Sequence, residues 1–353
     1  MARLQLSDVR LNYQFLGPER TSAPPVVLIH GLGTNLAFWY LGAGRLLAPQ
    51  HRLLMYDLRG HGASSMPSDG YTLDRHCHDL SELLSANGIG RAHVVGHSYG
   101  ARVALHFAIL NPGQVETLTV ADTQVRSLQP PMRLAEWPYW KTWKADLIAK
   151  GASDLPSDDA LIDFQLLADL GGHMGGSAPA LLPGQDPAAA NAEDTPSAAA
   201  AGWAGRAPAR RGGIDLGSRR MGRRGLQRWQ TLLEDTTARD ELADESPLCK
   251  DALARIEMPT LLMYGKLSHC VPTADALLDI IPNARRILVP GAGHFFPVVK
   301  PRLFAGAFTS FQALARQAAS AQMGAAQDRR SDRAPLRYGS RRRRLRAAAR
   351  AGE

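Results

Sequence analysis

A serine between small neighbours is the part of this sequence best suited to covalent chemistry. The segment GHSYG (Gly96 to Gly100) follows an apolar stretch and precedes a helical one, which predicts a tight strand-to-helix turn. Such a turn lifts the Ser98 hydroxyl clear of the sheet, at the positive end of the next helix. The pattern alone occurs by chance, but in this setting it predicts that Ser98 is a nucleophile.

Two glycine-containing loops could complete a site around this serine. The segment HGLG (His30 to Gly33) ends an upstream strand, and the backbone N–H groups of Leu32 and Tyr99 could converge on a developing oxyanion. A serine hydroxyl also needs an adjacent base at neutral pH. His294 is the best candidate among the eleven histidines, because in GAGHFF (Gly291 to Phe296) it follows the last apolar strand in a Gly loop.

Short apolar runs that stop near glycine recur along the chain and are typical of buried strands. Helical patterns lie between them, as in Leu73 to Gly88 and Ala101 to Gly113. This alternation predicts an α/β fold with a mostly parallel, doubly wound sheet, in which chemistry gathers at the carboxyl ends of strands. The predicted strand segments are Pro24 to Gly31, His51 to Gly62, Arg91 to Gly100, Glu116 to Thr123, Pro259 to Gly265 and Ala284 to His294.

Four motifs together make the sequence resemble the α/β-hydrolase superfamily. HGLG, DLRGHGASS (Asp57 to Ser65), GHSYG and GAGHFF occur in the family's order, and the resemblance covers roughly Leu11 to Ile148 and Leu226 to Phe311. It implies the α/β-hydrolase fold with an inserted helical lid, and a serine esterase-like site. It also implies that the DLRGHGASS loop is structural. The residues that are then architectural rather than catalytic are Asp57, Arg59 and His61.

The acid that should orient the histidine departs from the family pattern. Most members carry G-x-x-D-x-x-x-P after the penultimate core strand; here Gly265 and Pro272 match, but Ser268 stands at the acid position. A serine can accept a hydrogen bond from an imidazole, yet it cannot balance the charge of an imidazolium ion. The resemblance therefore leaves the acid to be found elsewhere.

Asp122 is the alternative acid. TVADT ends the strand after the elbow helix, and some α/β-hydrolases carry their acid there. Adjacent strand ends lie about 5 Å apart, and the order Ser98, Asp122, His294 keeps the fold's order of nucleophile, acid and base. The sequence favours Asp122. The alternatives are that it merely ends a strand and caps the first turn of the lid, or that Asp275, in the first turn of a helix, is the acid.

The pattern predicts a hydrolase core interrupted by a lid. Residues 1–124 and 255–325 form the core, and residues 125–254 form the lid, which holds five of the six tryptophans. Within the lid, residues 171–225 are rich in Gly, Ala and Pro and are predicted to be disordered, like the Arg-rich tail at 326–353. Shifted reading frames in a GC-rich gene would give the same composition.

Charge and cysteine usage restrict the partners. Residues 206–224 and 327–353 carry +6 and +7 of the net charge of +8, so the remainder is mildly acidic. These stretches lack interleaved aromatics, which disfavours a nucleic-acid partner.

No apolar run is long enough to predict a membrane span. Three cysteines without paired spacing fit reduced thiols in a cytoplasm. His76 and His78 resemble a metal-binding pair, but they face different sides of a helix, so they are not expected to bind a metal. No cofactor is expected either.

The leading hypothesis is a serine hydrolase for a small-molecule ester or thioester with an apolar acyl group, acting through an acyl-enzyme. Phe38, Trp39 and Phe295 flank the proposed loops and could line the acyl pocket. One alternative is a C–C bond hydrolase of a diketone that uses the same residues. Another is a catalytically weak, ligand-binding member of the fold. A dehalogenase or epoxide hydrolase would need a carboxylate nucleophile where Ser98 stands.

Overall fold

The computed structural model describes residues 2–137, 140–149, 151–162, 166 and 219–331. Residues 171–218 of the stretch predicted to be disordered, and residues 332–353 of the Arg-rich tail, lie outside the described residues. The chain forms two compact units, Met1–Ser310 and Phe311–Glu353. The candidate site belongs to the first unit.

One sheet organises the first unit. Its strand order is β1-β2-β4-β3-β5-β6-β7-β8, with β1 and β2 antiparallel to their neighbours and the remaining pairs parallel. The fold is therefore the mostly parallel α/β sheet that the alternating pattern predicts. The strands are β1 (Ala2–Gln5), β2 (Arg10–Leu16), β3 (Val26–Ile29), β4 (Leu53–Tyr56), β5 (Ala92–His97), β6 (Val115–Ala121), β7 (Thr260–Gly265) and β8 (Ala284–Val289).

Helices connect these strands. In the described part of the chain, the longer ones are α1 (Leu73–Ala86), α2 (Tyr99–Leu110), α3 (Trp140–Ala149), α4 (Arg219–Glu234), α5 (Val271–Ile280) and α6 (Pro301–Ser331). Shorter helical segments are Ala37–Trp39, Tyr40–Gly44, Arg45–Leu47, Pro112–Gln114, Leu134–Glu136, Ala238–Glu241, Lys250–Leu253 and Phe296–Val299. None of the described helices combines the length and apolar character needed to cross a bilayer.

Burial explains why the strands read as unbroken apolar runs. Every residue of β3, β4, β5 and β7 is buried, because helices cover both faces of the sheet. Strand β8 lies at the edge and is largely exposed. The central strands β3, β5, β6 and β7 are neighbours, so the loops that follow them meet at one edge of the sheet. The residues predicted to form the site lie in these loops and in the loop after β8.

The loop that carries DLRGHGASS is held by buried polar contacts. The Asp57 carboxylate accepts hydrogen bonds from the side chain of Asn12 at 2.8 Å and from the backbone N–H groups of Leu36 and Ala63 at 2.7 and 2.8 Å. The fully buried Arg59 guanidinium donates two 2.7 Å hydrogen bonds to the Asp79 carboxylate. These contacts give both charged side chains a structural role.

His30 joins this loop to the end of β3. Its Nε2 accepts a hydrogen bond from the Leu58 backbone N–H at 3.0 Å, and its Nδ1 lies 2.8 Å from the Gly31 carbonyl oxygen. This pairing requires a neutral ring with the proton on Nδ1. Burial lowers the pKa of His30 to about 4, from an ordinary value of 6.5. Protonation of Nε2 would therefore break the buried hydrogen bond between His30, at the end of β3, and Leu58, in the DLRGHGASS loop.

We expect the fold to lose stability in mild acid partly through His30. Below pH 6.5 the unfolded chain takes up a proton that folded His30 refuses until about pH 4, so unfolding is favoured as the pH falls. This ring should contribute a loss of about 2 kcal/mol between pH 6.5 and 5. Urea unfolding across this interval should show a shallower pH dependence for His30→Asn, whose amide oxygen can still accept from Leu58.

The matched control for this experiment is His78→Asn, because His78 is an exposed ring on α1. The slope of unfolding free energy against pH should flatten more in His30→Asn than in His78→Asn. Equal slopes for the parental protein and His30→Asn would contradict the assignment.

Candidate active site

Ser98 occupies a strained turn between β5 and α2. Its backbone has φ 55° and ψ −123°, a left-handed conformation that costs a side-chain-bearing residue about 1–3 kcal/mol. Close packing holds the turn in place. A Cβ atom on Gly100 would lie 2.5 Å from the carbonyl oxygens of both Ile29 and His30, and one on Gly96 would collide with the Gly100 carbonyl. The glycines of GHSYG thus allow the turn to form against β3.

The HGLG loop runs directly beside this turn. A Cβ atom on Gly31 would lie 3.0 Å from the Cβ of Ser98 and 3.3 Å from the His97 carbonyl oxygen. Leu32 follows Gly31 and is half-buried. Tyr99 is the first residue of α2, and an amide at that position has no partner within its own helix. Both predicted oxyanion donors therefore belong to residues that adjoin the nucleophile turn.

Asp122 follows β6, the strand next to β5. The Ser98 backbone N–H donates to the Ala121 carbonyl at 3.0 Å. This hydrogen bond joins the ends of β5 and β6 at the points where Ser98 and Asp122 follow them. Asp122 also has a positive φ, 48°, and its side chain is fully buried. Among the described residues, Ser98 and Asp122 are the two non-glycine positions with positive φ. Backbone strain of this kind clusters at functional sites.

The Asp122 carboxylate accepts three hydrogen bonds. His294 Nδ1 lies 2.9 Å from Oδ1, the Ser268 hydroxyl donates to the same oxygen at 2.5 Å, and the Gly265 backbone N–H donates to Oδ2 at 2.7 Å. Burial alone would raise the pKa of Asp122, but the bonds from His294, Ser268 and Gly265 hold that pKa below its ordinary value. The group is therefore an ionised carboxylate that can orient His294 and balance positive charge on it.

The structure shows how Ser268 relates to Asp122. Asp122, the acid that the sequence favours, is the carboxylate that contacts His294. Ser268 belongs to the same cluster, but its hydroxyl donates to Asp122, and its oxygen accepts from the Cys270 backbone N–H at 3.2 Å. Asp275 is not brought there, because its half-exposed carboxylate forms an ion pair with Arg286.

His97 ties the base loop to the nucleophile strand. Its ring is buried, and its Nε2 lies 2.9 Å from the His294 carbonyl oxygen. Burial lowers the pKa of His97 to about 3, so the ring is neutral and donates through Nε2 to that carbonyl. One face stacks on Phe38 with the ring centroids 4.4 Å apart, and Phe295 lies 5.8 Å away. His97 thus links the two loops that carry the predicted pocket aromatics.

The predicted pocket residues differ in exposure. Phe38 and Phe295 are half-buried beside His97 and present partly open aromatic surface near the nucleophile turn. Trp39 is fully buried and packs against Phe304 of α6 with ring centroids 5.3 Å apart. The prediction that Trp39 lines the pocket is therefore wrong in the structure, since Trp39 belongs to the core behind Phe38.

Two site neighbours, His269 and Cys270, were missed by sequence reasoning. The His269 ring centroid lies 5.8 Å from that of His294, and burial lowers the pKa of His269 to about 4. The Cys270 sulfur lies 4.0 Å from His294 Nδ1, and burial raises the pKa of its thiol. The available signal was their position directly after Ser268, in the loop that should deliver an acid.

A cavity of about 260 Å³ opens on the acid side of the site. Met132 and Trp137 line it from the predicted lid, and Leu267, Ser268 and His269 line it from the loop after β7. The Trp137 and His269 rings lie 5.9 Å apart across this region. Solvent therefore reaches the loop that contacts Asp122.

Comparisons with known proteins agree with this architecture. A model of the alpha/beta hydrolase fold family matches residues 24–301, so the chain belongs to that family. Over 113 residues it is 37% identical to a protein of Variovorax paradoxus (strain S110) named carbamate hydrolase RutD, a match covering 32% of this chain and 42% of the relative. A protein of Burkholderia sp. named fluoroacetate dehalogenase is 34% identical over 124 residues, covering 34% and 39%.

A solved structure extends the similarity over most of the chain. The crystal structure of a hydrolase from Pseudomonas aeruginosa PA01 is 27% identical, with a TM-score of 0.53, and the match covers 88% of this chain and 97% of that one. By contrast, the chain spans less than half the length of the two named relatives.

The packing of the nucleophile turn predicts a sensitive position at Gly100. Gly100→Ala would place a methyl group 2.5 Å from two backbone oxygens, so we expect a loss of about 1–3 kcal/mol in unfolding free energy. Gly113→Ala is the matched control, because a Cβ there meets nothing within 4 Å. Chemical denaturation would measure both. A Gly100→Ala protein as stable as the control would contradict the described packing.

Proposed function

We propose that this chain is a serine hydrolase that cleaves an ester or thioester with a small or medium apolar acyl group. The observation that carries the proposal is the 2.9 Å contact between His294 Nδ1 and the buried Asp122 carboxylate, beside the strained Ser98 turn. A neutral His294 whose Nδ1–H is held by a carboxylate keeps its Nε2 free to act as a base.

The proposed reaction follows the usual division of roles in such a triad. The Ser98 oxygen attacks the substrate carbonyl carbon while His294 Nε2 takes the hydroxyl proton. Asp122 stabilises the resulting imidazolium, and the N–H groups of Leu32 and Tyr99 stabilise the tetrahedral oxyanion. His294 then gives the proton to the leaving oxygen or sulfur, which departs and leaves an acyl-enzyme. Water, deprotonated by His294, releases the acid and restores Ser98.

The aromatic surroundings favour an apolar acyl group. Phe38 and Phe295 are half-buried on the side of His97, and Trp39 supports Phe38 from the core through an edge contact, with their ring centroids 5.2 Å apart. Aromatic walls of this kind bind apolar groups by removing their surface from water. The cavity lined by His269 and Trp137 is available to the leaving group.

The names of the two relatives suggest two different bonds that the enzyme could cleave, an acyl bond or a carbon–halogen bond. A carbamate carries an acyl carbon that a serine can attack, so the name carbamate hydrolase is compatible with this mechanism, and carbamates belong in the substrate panel. Dehalogenation requires a carboxylate nucleophile, whereas the turn here carries Ser98. We therefore favour acyl transfer over dehalogenation.

The nucleophile is tested with a fluorophosphonate probe and short p-nitrophenyl esters. The parental protein should be labelled on Ser98 at neutral pH and hydrolyse the esters, and Ser98→Ala should lose both properties. Ser68→Ala, which alters an exposed serine, is the control and should retain them. Parental rates of ester cleavage by Ser98→Ala would refute the proposal.

Product analysis separates the remaining alternatives. A C–C bond hydrolase would use the same residues but cleave a ring-cleavage diketone faster than the esters and carbamates in a common panel. A ligand-binding member of the fold, the reading prompted by Ser268, would leave Ser98 unlabelled. Labelling with ester cleavage and no diketone cleavage is the expected result.

The acid assignment predicts unequal effects at two neighbouring positions. Asp122→Asn should lower turnover by about 10²–10⁴, because the uncharged amide cannot stabilise imidazolium. Ser268→Ala removes one of the three hydrogen bonds to the carboxylate but leaves its charge, so a loss of about three- to tenfold is expected. Steady-state kinetics on the best ester measures both.

A relocated carboxylate provides the matched rescue. The Ser268 oxygen lies 2.5 Å from Asp122 Oδ1, so an Asp side chain at position 268 should reach His294 when residue 122 is neutral. Adding Ser268→Asp to Asp122→Asn should recover at least about tenfold of the lost turnover. If Ser268→Ala were the more damaging single change, Asp122 would not be the acid.

A further inference from the structure

We propose that a zinc-class divalent ion binds between Asp122, Cys270 and His294, and that this binding switches off the proposed hydrolase. One ligand atom from each of the three side chains lies within 4.8 Å of the other two. The set of carboxylate oxygen, imidazole nitrogen and thiolate sulfur is one that zinc accepts and that magnesium and calcium do not favour. The metal site stands on this geometry, and only its inhibitory effect rests on the proposed function.

The distances are close to those of a tetrahedral centre. Zinc bond lengths imply sulfur–nitrogen separations of about 3.6 Å and nitrogen–oxygen separations of about 3.4 Å. The Cys270 sulfur lies 4.0 Å from His294 Nδ1, and that nitrogen lies 2.9 Å from Asp122 Oδ1. The Cys270 sulfur lies within 4.8 Å of an Asp122 oxygen, where such a centre needs about 3.6 Å. Shifts of up to about one ångström would therefore admit the ion. It would replace the hydrogen bond between His294 and Asp122 with two metal bonds.

Charge and access also suit a cation. A carboxylate and a thiolate together neutralise a divalent ion, which a buried site requires. His269 Nε2 lies 3.4 Å from the Cys270 sulfur, so the neutral His269 ring is placed to accept a hydrogen bond from a water bound to the ion. The cavity of about 260 Å³ reaches His269 and Ser268, and the His294 side chain is 22% exposed, which gives the ion a route from solvent.

Binding would disable His294 as a base. The proton of the Cys270 thiol is released to solvent, so that the sulfur binds as thiolate. The His294 proton moves by solvent exchange from Nδ1 to Nε2, because a neutral imidazole that coordinates through Nδ1 carries its proton on the other nitrogen. Nε2 is then a donor and cannot take the Ser98 proton. The ring keeps its place, but the tautomer is the inactive one.

Cobalt(II) provides the direct test, because a cobalt–thiolate bond absorbs in the near ultraviolet. Untagged, chelator-treated protein should bind one equivalent of Co²⁺ and show this band. Cys270→Ala and the nearly isosteric Cys270→Ser should lose the band. Their affinity for Co²⁺ should fall by at least about tenfold. Cys77→Ala removes a second buried thiol, which lies 3.6 Å from the Val103 carbonyl oxygen of α2, and should keep both properties.

Thermal stability and inhibition by Zn²⁺ test the same site without cobalt. Zn²⁺ should raise the Tm of the parental protein and of Cys77→Ala, but not that of Cys270→Ser, whose folding is verified by near-ultraviolet circular dichroism. Zn²⁺ should inhibit ester cleavage by the parental enzyme, reversibly with chelator, and the inhibitory concentration should rise by at least about tenfold in Cys270→Ser.

The outcomes separate this proposal from the proposed function. A missing thiolate band in the parental protein, or a band that survives Cys270→Ser, would overturn the metal site whatever the enzyme cleaves. A normal band in a protein that cleaves none of the esters would uphold the metal site and count against the hydrolase. Zinc bound through Cys270 without inhibition of an active enzyme would overturn the switch alone.

Discussion

The buried carboxylate of Asp122 is the interaction on which the rest of the site depends. An ionised group without partners in the protein interior would cost several kcal/mol, so its stability rests on donors that surround it. The donors come from three places in the chain: Gly265 at the end of β7, Ser268 in the following loop, and His294 after β8. The same bonds that keep the charge buried therefore fix the loops after β7 and β8 against the end of β6.

Ser98, the proposed nucleophile, is positioned by packing rather than by charge. Ser98 has a left-handed backbone in a turn that Gly100 packs against the end of β3 and that Gly96 packs against the start of α2. His97 then connects this rigid turn to the base loop through the His294 carbonyl. His294 is thus held by contacts from two strand ends, those of β6 and β5. Its ring is therefore oriented from one side by Asp122, while its backbone is anchored from the other by His97.

Sequence patterns predicted the parts that depend on local chain properties. Apolar runs that stop at turn residues predicted β3, β5, β6 and β7, which end at Ile29, His97, Ala121 and Gly265 and place Ser98 and Asp122 at adjacent strand ends. The parts that failed depend on distant segments. Trp39 belongs to the core because Phe304 of α6 covers it, and the loop after β7 turns His269 and Cys270 toward His294. No local periodicity encodes either contact.

The serine at position 268 also has an electrostatic explanation. With Asp122 as the acid, a second carboxylate at position 268 would place two negative oxygens within hydrogen-bonding distance of each other in a buried site. Two such groups cannot both ionise, and the pKa of one would rise strongly. A neutral donor is the group that this position needs, because it stabilises the charge of Asp122 without competing for His294. With the negative charge carried by Asp122 at the end of β6, a neutral hydroxyl such as that of Ser268 is the side chain that suits the loop after β7.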